Sequence, residues 1–90
     1  MARIYQTERM GEATLRVALV PRDSAELLVQ RVASWGVAHG DAFWYVTRER
    51  QDASSIVFFC SPQLAQLKVC FVHHQSEAGW KIPKPRDIRL

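Results

Sequence analysis

The chain is short of the features that would place it in a specialised class. Two cysteines, Cys60 and Cys70, in 90 residues exclude a disulfide-stapled scaffold and read instead as small buried apolar residues. No apolar run approaches the roughly 18 residues that span a bilayer, and Met1-Ala2-Arg3-Ile4-Tyr5 lacks the apolar centre of an export signal. The expected setting is cytoplasmic, with no membrane contact. There is no glycine elbow, paired-carboxylate motif or phosphate loop, so no catalytic residue, enzyme activity, metal or cofactor is expected. Charge is only mildly one-sided, at +3 with a pI near 9.2. Much of that excess lies at the C-terminal end, where Lys81, Lys84, Arg86 and Arg89 stand against Asp87.

What the chain does have is a core. A hydrophobic fraction of 48% beside 23% charged residues is the balance of an ordinary globular domain, and the length allows one. Self-similarity organises it. Ala13, Ala25, Ala38, Ala53, Ala65 and Ala78 each close a short polar stretch, in tandem units of roughly 13 residues. Two positions on come Leu15, Leu27, Leu67 and Trp80; four positions on come Val17, Val29, Val57, Val69 and Ile82. Alternate positions share one face of a strand, so these columns predict a buried face. In the unit lengthened by His39-Gly40, Ala42 and Trp44 take the two places. Seven positions past the anchors, or in the same frame, stand Thr7, Val20, Val32, Thr47, Cys60 and Val72, all β-branched or small.

Six to seven short strands are therefore expected over residues 1–82, followed by a basic, proline-containing tail, 83–90, with the stretch Lys81-Ile82-Pro83-Lys84-Pro85-Arg86 extended and solvated. Ser24 to Gly36 also reads as a capped amphipathic helix. The repeat frame favours a strand there. Units of this length fit a twisted antiparallel meander or β-roll, with strands of about 7 residues joined by turns of about 5. The alternative is a compact flat β-solenoid, whose parallel strands need a return path within each unit.

The segments Gly11-Glu12-Ala13-Thr14-Leu15-Arg16-Val17, Ala65-Gln66-Leu67-Lys68-Val69 and Ser76-Glu77-Ala78-Gly79-Trp80-Lys81, with Ser34-Trp35 and Gly40-Asp41-Ala42-Phe43-Trp44-Tyr45, resemble units of the form S-x-A-D-L-x-V-Y-x-V-D. Such units recur in an uncharacterised bacterial family of small repeat proteins. The resemblance implies a repeat-built β fold and carries no activity, substrate or cofactor. Where that pattern has an acidic residue after the anchor alanine, this chain has Thr14, Glu26, Ser54 or Gln66, which argues against a regular acidic ligand ladder.

Three constellations bear on function. Cys70, His73 and His74, with Cys60 and His39, contain a Cys-x-x-His spacing, but no second pair completes a zinc site, and a buried thiol followed by turn histidines accounts for them. The aromatics and the dispersed arginines suggest a weak nucleic-acid binder, yet most of the aromatics are needed to fill a small core. Open sheet edges, finally, invite pairing with another copy or a protein partner. The favoured reading is a non-enzymatic structural or protein-interaction module, with Trp35, Trp44, Trp80, Arg48 and Arg50 as its contact residues. Nucleic-acid binding through basic and aromatic surface residues is the alternative.

Overall fold

A computed structural model describes residues 2–37 and 40–90. Seven strands form: β1 (Ala2–Gln6), β2 (Leu15–Leu19), β3 (Leu27–Arg31), β4 (Phe43–Val46), β5 (Ser55–Phe59), β6 (Leu67–Val72) and β7 (Gly79–Trp80). The stretch that could have been a helix is β3 flanked by short 3-10 turns, because Leu27 and Val29 must both face the core. Ala38 and His39 lie outside the described residues.

The chain is mainly β, but the meander, the roll and the flat solenoid are all wrong. The first six strands are parallel throughout and close on themselves in the order β1-β5-β2-β6-β3-β4, with β4 returning to β1. Only β7 is antiparallel, laid along Leu27 and Leu28 of β3. The chain makes two circuits of one barrel: β1 to β4 complete the first, and β5 and β6 are laid into the gaps between β1, β2 and β3.

Stagger makes this possible. Each strand gives its first half to one neighbour and its second half to the other, so one central residue pairs both ways. Ile4 faces Val46 and Ser55; Val57 faces Gln6 and Leu15. Val17 faces Phe59 and Leu67; Val69 faces Leu19 and Leu27. The end of β1 and the start of β2 thus sit at the same height on either side of β5. A parallel connection ordinarily has to travel back the length of a strand. Here it only steps over one strand, roughly 10 Å, and seven or eight residues, such as 7–14 and 20–26, suffice.

Each step is fastened at both ends to the strand it crosses. Leaving β1, the Thr7 N–H donates to the Val57 carbonyl at 2.9 Å; arriving at β2, the Thr14 N–H donates to the Ile56 carbonyl at 2.8 Å. Val20 and Glu26 do the same on β6, Thr47 and Ser54 on β1, and Cys60 and Gln66 on β2. The arriving side chain adds a third bond. Thr14 Oγ1 accepts from the Ile56 N–H (2.9 Å), Glu26 Oε1 from Lys68 (2.9 Å), Ser54 Oγ from Arg3 (2.9 Å) and Gln66 Oε1 from Arg16 (3.0 Å). These are the residues that follow the anchor alanines Ala13, Ala25, Ala53 and Ala65. An acceptor is what the backbone requires there, so hydroxyl, amide and carboxylate all serve. Before each arrival the step makes a tight turn, closed by the N–H of Ala13, Ala25, Ala53 or Ala65.

The interior is built in layers. Leu15, Leu27 and Leu67 join Ala2, Ala42 and Ser55 near the strand starts, and Ile4, Val17, Val29, Trp44, Val57 and Val69 fill the middle. Trp44 is fully buried, donates its indole N–H to the Asp41 carbonyl at 2.7 Å, and meets Phe71 edge-on at 6.0 Å. Of the second sequence column only Ile82 lies outside, and it is exposed. The barrel floor is closed by the C-terminal segment. Ile88 is buried in the core cluster with Leu90 against it, and the Ser55 hydroxyl donates to the Arg89 carbonyl at 3.0 Å. Residues 81–84 and 86 are exposed, and the tail is tied down only beyond them, at Ile88, where it covers Leu and Ala side chains of the floor that would otherwise lie in water.

Candidate functional site at the barrel mouth

The opposite end is open. One step of two beyond the middle layer, each barrel strand carries a last inward residue: Gln6, Leu19, Arg31, Val46, Phe59 and Phe71. With Ile4 and Trp44 beneath them they line a cavity of about 280 Å³ at the C-terminal ends of the strands. Leu19 is 52% exposed and Val46 40%, so the rim of the cavity presents apolar surface to water. Phe59 and Phe71 are half-buried.

Arg31 is the one charged side chain of the mouth. Its guanidinium carbon lies 5.6 Å from the centre of the Phe71 ring, an arrangement in which the ring face attracts the cation. Among the described residues the ion pairs are Arg9–Glu12, Arg22–Glu77, Arg50–Glu12 and Lys84–Asp41. Arg31 is in none of them. A shallower hollow on its other side is lined by Gln30, Val72 and His73, where the Gln30 amide donates to the His73 carbonyl at 3.1 Å. The mouth therefore offers an apolar well with one cation and one exposed amide, Gln6, at its lip. That can recognise a ligand, but it brings no nucleophile beside a base.

The residues singled out from the sequence do not form one surface. Trp44 is in the barrel interior, where it forms part of the cavity floor. Trp80 is half-buried at the opposite end and donates its indole N–H to Asp41 Oδ2 at 3.2 Å. Trp35 is exposed, with the Arg3 guanidinium stacked 4.6 Å from its ring centre. Arg50 is engaged with Glu12, while Arg48 is exposed on the step from β4 to β5. Cys70 lies on β6, and His73 and His74 are exposed beyond it. Among the described residues no three His, Cys, Asp or Glu side chains gather as metal ligands. No helix among them is long and apolar enough to cross a membrane. Closure leaves the six barrel strands without an open edge, whereas β7 pairs on one side only, with β3.

Two carboxylates are electrostatically distinctive. Burial works to raise the pKa of Asp41, but the hydrogen bonds from Lys84 (2.8 Å) and Trp80, with the Lys84 charge, together hold it below its ordinary value. Glu77 is lowered chiefly by its hydrogen bond from Arg22. Both tie the end of the chain to the barrel and lie away from the mouth.

Reasoning from sequence missed the mouth. The signal was available: continuing the period of two by one step from Val17, Val29, Val57 and Val69 gives Leu19, Arg31, Phe59 and Phe71. A charged residue at an inward position is the mark of an opening.

A family model described as the 7(1) septoil knot domain matches residues 1–81. Comparison with curated proteins and with solved structures gives no match.

Proposed function

For a chain that belongs to the 7(1) septoil knot domain family, we propose that the domain is a non-enzymatic protein-binding module whose contact surface is the barrel mouth. The observation that carries this reading is the asymmetry of the barrel ends. One end is sealed by Ile88 and Leu90 from the chain itself. The other leaves Leu19 and Val46 exposed around a cavity floored by Trp44. An apolar concavity costs free energy in water unless something covers it, and exposed apolar patches of this kind commonly mark interaction sites. Parallel strands ending together at one face also provide a rigid frame, which lowers the ordering cost of binding.

A photoreactive amino acid at position 46, in the organism that makes the protein, tests this. A single cross-linked protein partner that disappears with Leu19→Asp, while thermal unfolding is unchanged, is the expected result. Cross-linking that survives Leu19→Asp, or that arises equally from position 84 at the other end, overturns it. The nucleic-acid alternative is supported by no comparable feature, since Arg22 and Arg50 are paired to carboxylates and Arg3 is stacked on Trp35.

A further inference from the structure

We infer that the mouth receives the C-terminus of a partner polypeptide ending in a large apolar residue, with the terminal carboxylate held by Arg31. The inference rests on the mouth being the binding surface and names the chemistry of its occupant.

Size comes first. Pockets for whole small molecules usually run from about 300 to 1,000 Å³. The cavity here, at about 280 Å³, lies at the lower edge of that range and has room for a Leu- or Phe-sized side chain. Leu19, Val46, Phe59 and Phe71 supply its apolar wall.

Charge comes second. Arg31 sits on that same wall, over Phe71, with no acidic partner among the described residues. A guanidinium presents a planar fork of donors that matches a carboxylate bidentately. Arg31 is exposed at the rim, within reach of a carboxylate arriving from solvent, and the planar fork supplies the selectivity.

Connectivity comes third. In a terminal residue the side chain and the carboxylate leave the same Cα, so both can be placed within one small cavity. An internal Asp or Glu beside an apolar residue would have to bring its carboxylate in from a neighbouring position, with the chain continuing out of the mouth on both sides. The exposed Gln6 amide at the lip is available to the last peptide groups of the incoming chain. Capture of a C-terminal carboxylate is an established mode of peptide recognition.

The test uses isotope-labelled protein and two probes, acetyl-Gly-Gly-Leu with a free carboxylate and the same peptide as its C-terminal amide, followed by amide chemical shifts during titration. The expected result is that the acid shifts Gln6, Leu19, Arg31, Val46, Phe59 and Phe71, and that the amide binds about tenfold more weakly. Arg31→Gln should remove that difference, and Arg86→Gln, in the tail at the other end, should leave it intact. Equal binding of acid and amide at the mouth overturns the carboxylate inference and leaves the mouth as the contact surface. Absence of shifts at the mouth with either peptide at millimolar concentration overturns the inference, while the cross-link from position 46 decides separately whether the mouth is the contact surface.

Discussion

The Glu26 carboxylate accepts the backbone N–H of Lys68 at 2.9 Å, while the Glu26 carbonyl receives the N–H of Lys81 at 2.9 Å. One residue thus fastens the step from β2 to β3 onto β6 and anchors the chain just beyond β7. A backbone donor on a crossed strand has no ladder partner at that point, so the side chain supplies one. Glu26→Ala should therefore lower stability by about 1–2 kcal/mol, and Glu26→Gln, which keeps an acceptor, by much less. Urea unfolding of the three proteins measures this, and equal loss in both variants would show that charge rather than the acceptor matters.

The central residues of the strands carry the core. Val17 and Val57 are fully buried and each pairs with two strands. Val17→Ala and Val57→Ala should each cost about 1–3 kcal/mol. Ile82→Ala, from the same sequence column but exposed, should stay within about 0.5 kcal/mol. Thermal unfolding of the set separates an inward layer from a mere sequence pattern.

Asp41 gives the fold an acid limit. Its pKa is lower in the folded chain than in the unfolded one, so the stabilisation from its bonds to Lys84 and Trp80 is fully present above the unfolded value of about 3.9. It is lost as pH falls through the lower folded value. The melting temperature should drop below about pH 4, and Asp41→Asn should show a shallower drop from a lower starting point. Parallel curves for the two proteins between pH 2 and 6 would refute the assignment.

The tail is a structural part of the barrel. Ile88 is 2% exposed beneath the Leu15, Leu27 and Leu67 layer. Ile88→Ala should cost about 2–4 kcal/mol, and removal of residues 83–90 should cost at least as much, since it also breaks the Lys84–Asp41 ion pair. Calorimetry on both variants checks this, and an unchanged melting temperature after truncation would exclude a sealing role.

Much of the local structure is legible along the chain. The alternation Leu15-x-Val17, Leu27-x-Val29 and Leu67-x-Val69 marks inward faces because a strand has a period of two whatever its neighbours do. The direction of those neighbours is another matter. Parallel and antiparallel strands bury the same alternate residues, and no short pattern distinguishes them. Units of about 13 residues, read as strands of about 7 and turns of about 5, argued for hairpins only on the premise that strands start level. In this barrel Gln6 and Leu15 both face Val57, and that stagger removes the need for a return path.

The sequence by itself determined that the chain is mainly β and which alternate side chains point inward, since these depend on neighbouring residues alone; Leu27–Arg31 reads locally as helix or strand, and only its place in the repeat frame favoured the strand. The tertiary structure decided the closure of six parallel strands, the second circuit laid through the first, the sealing of one end by Ile88 and the opening of the other around Arg31. Those properties arise from pairings between residues tens of positions apart. Their stagger is fixed only when β4 returns to β1 and the ring closes.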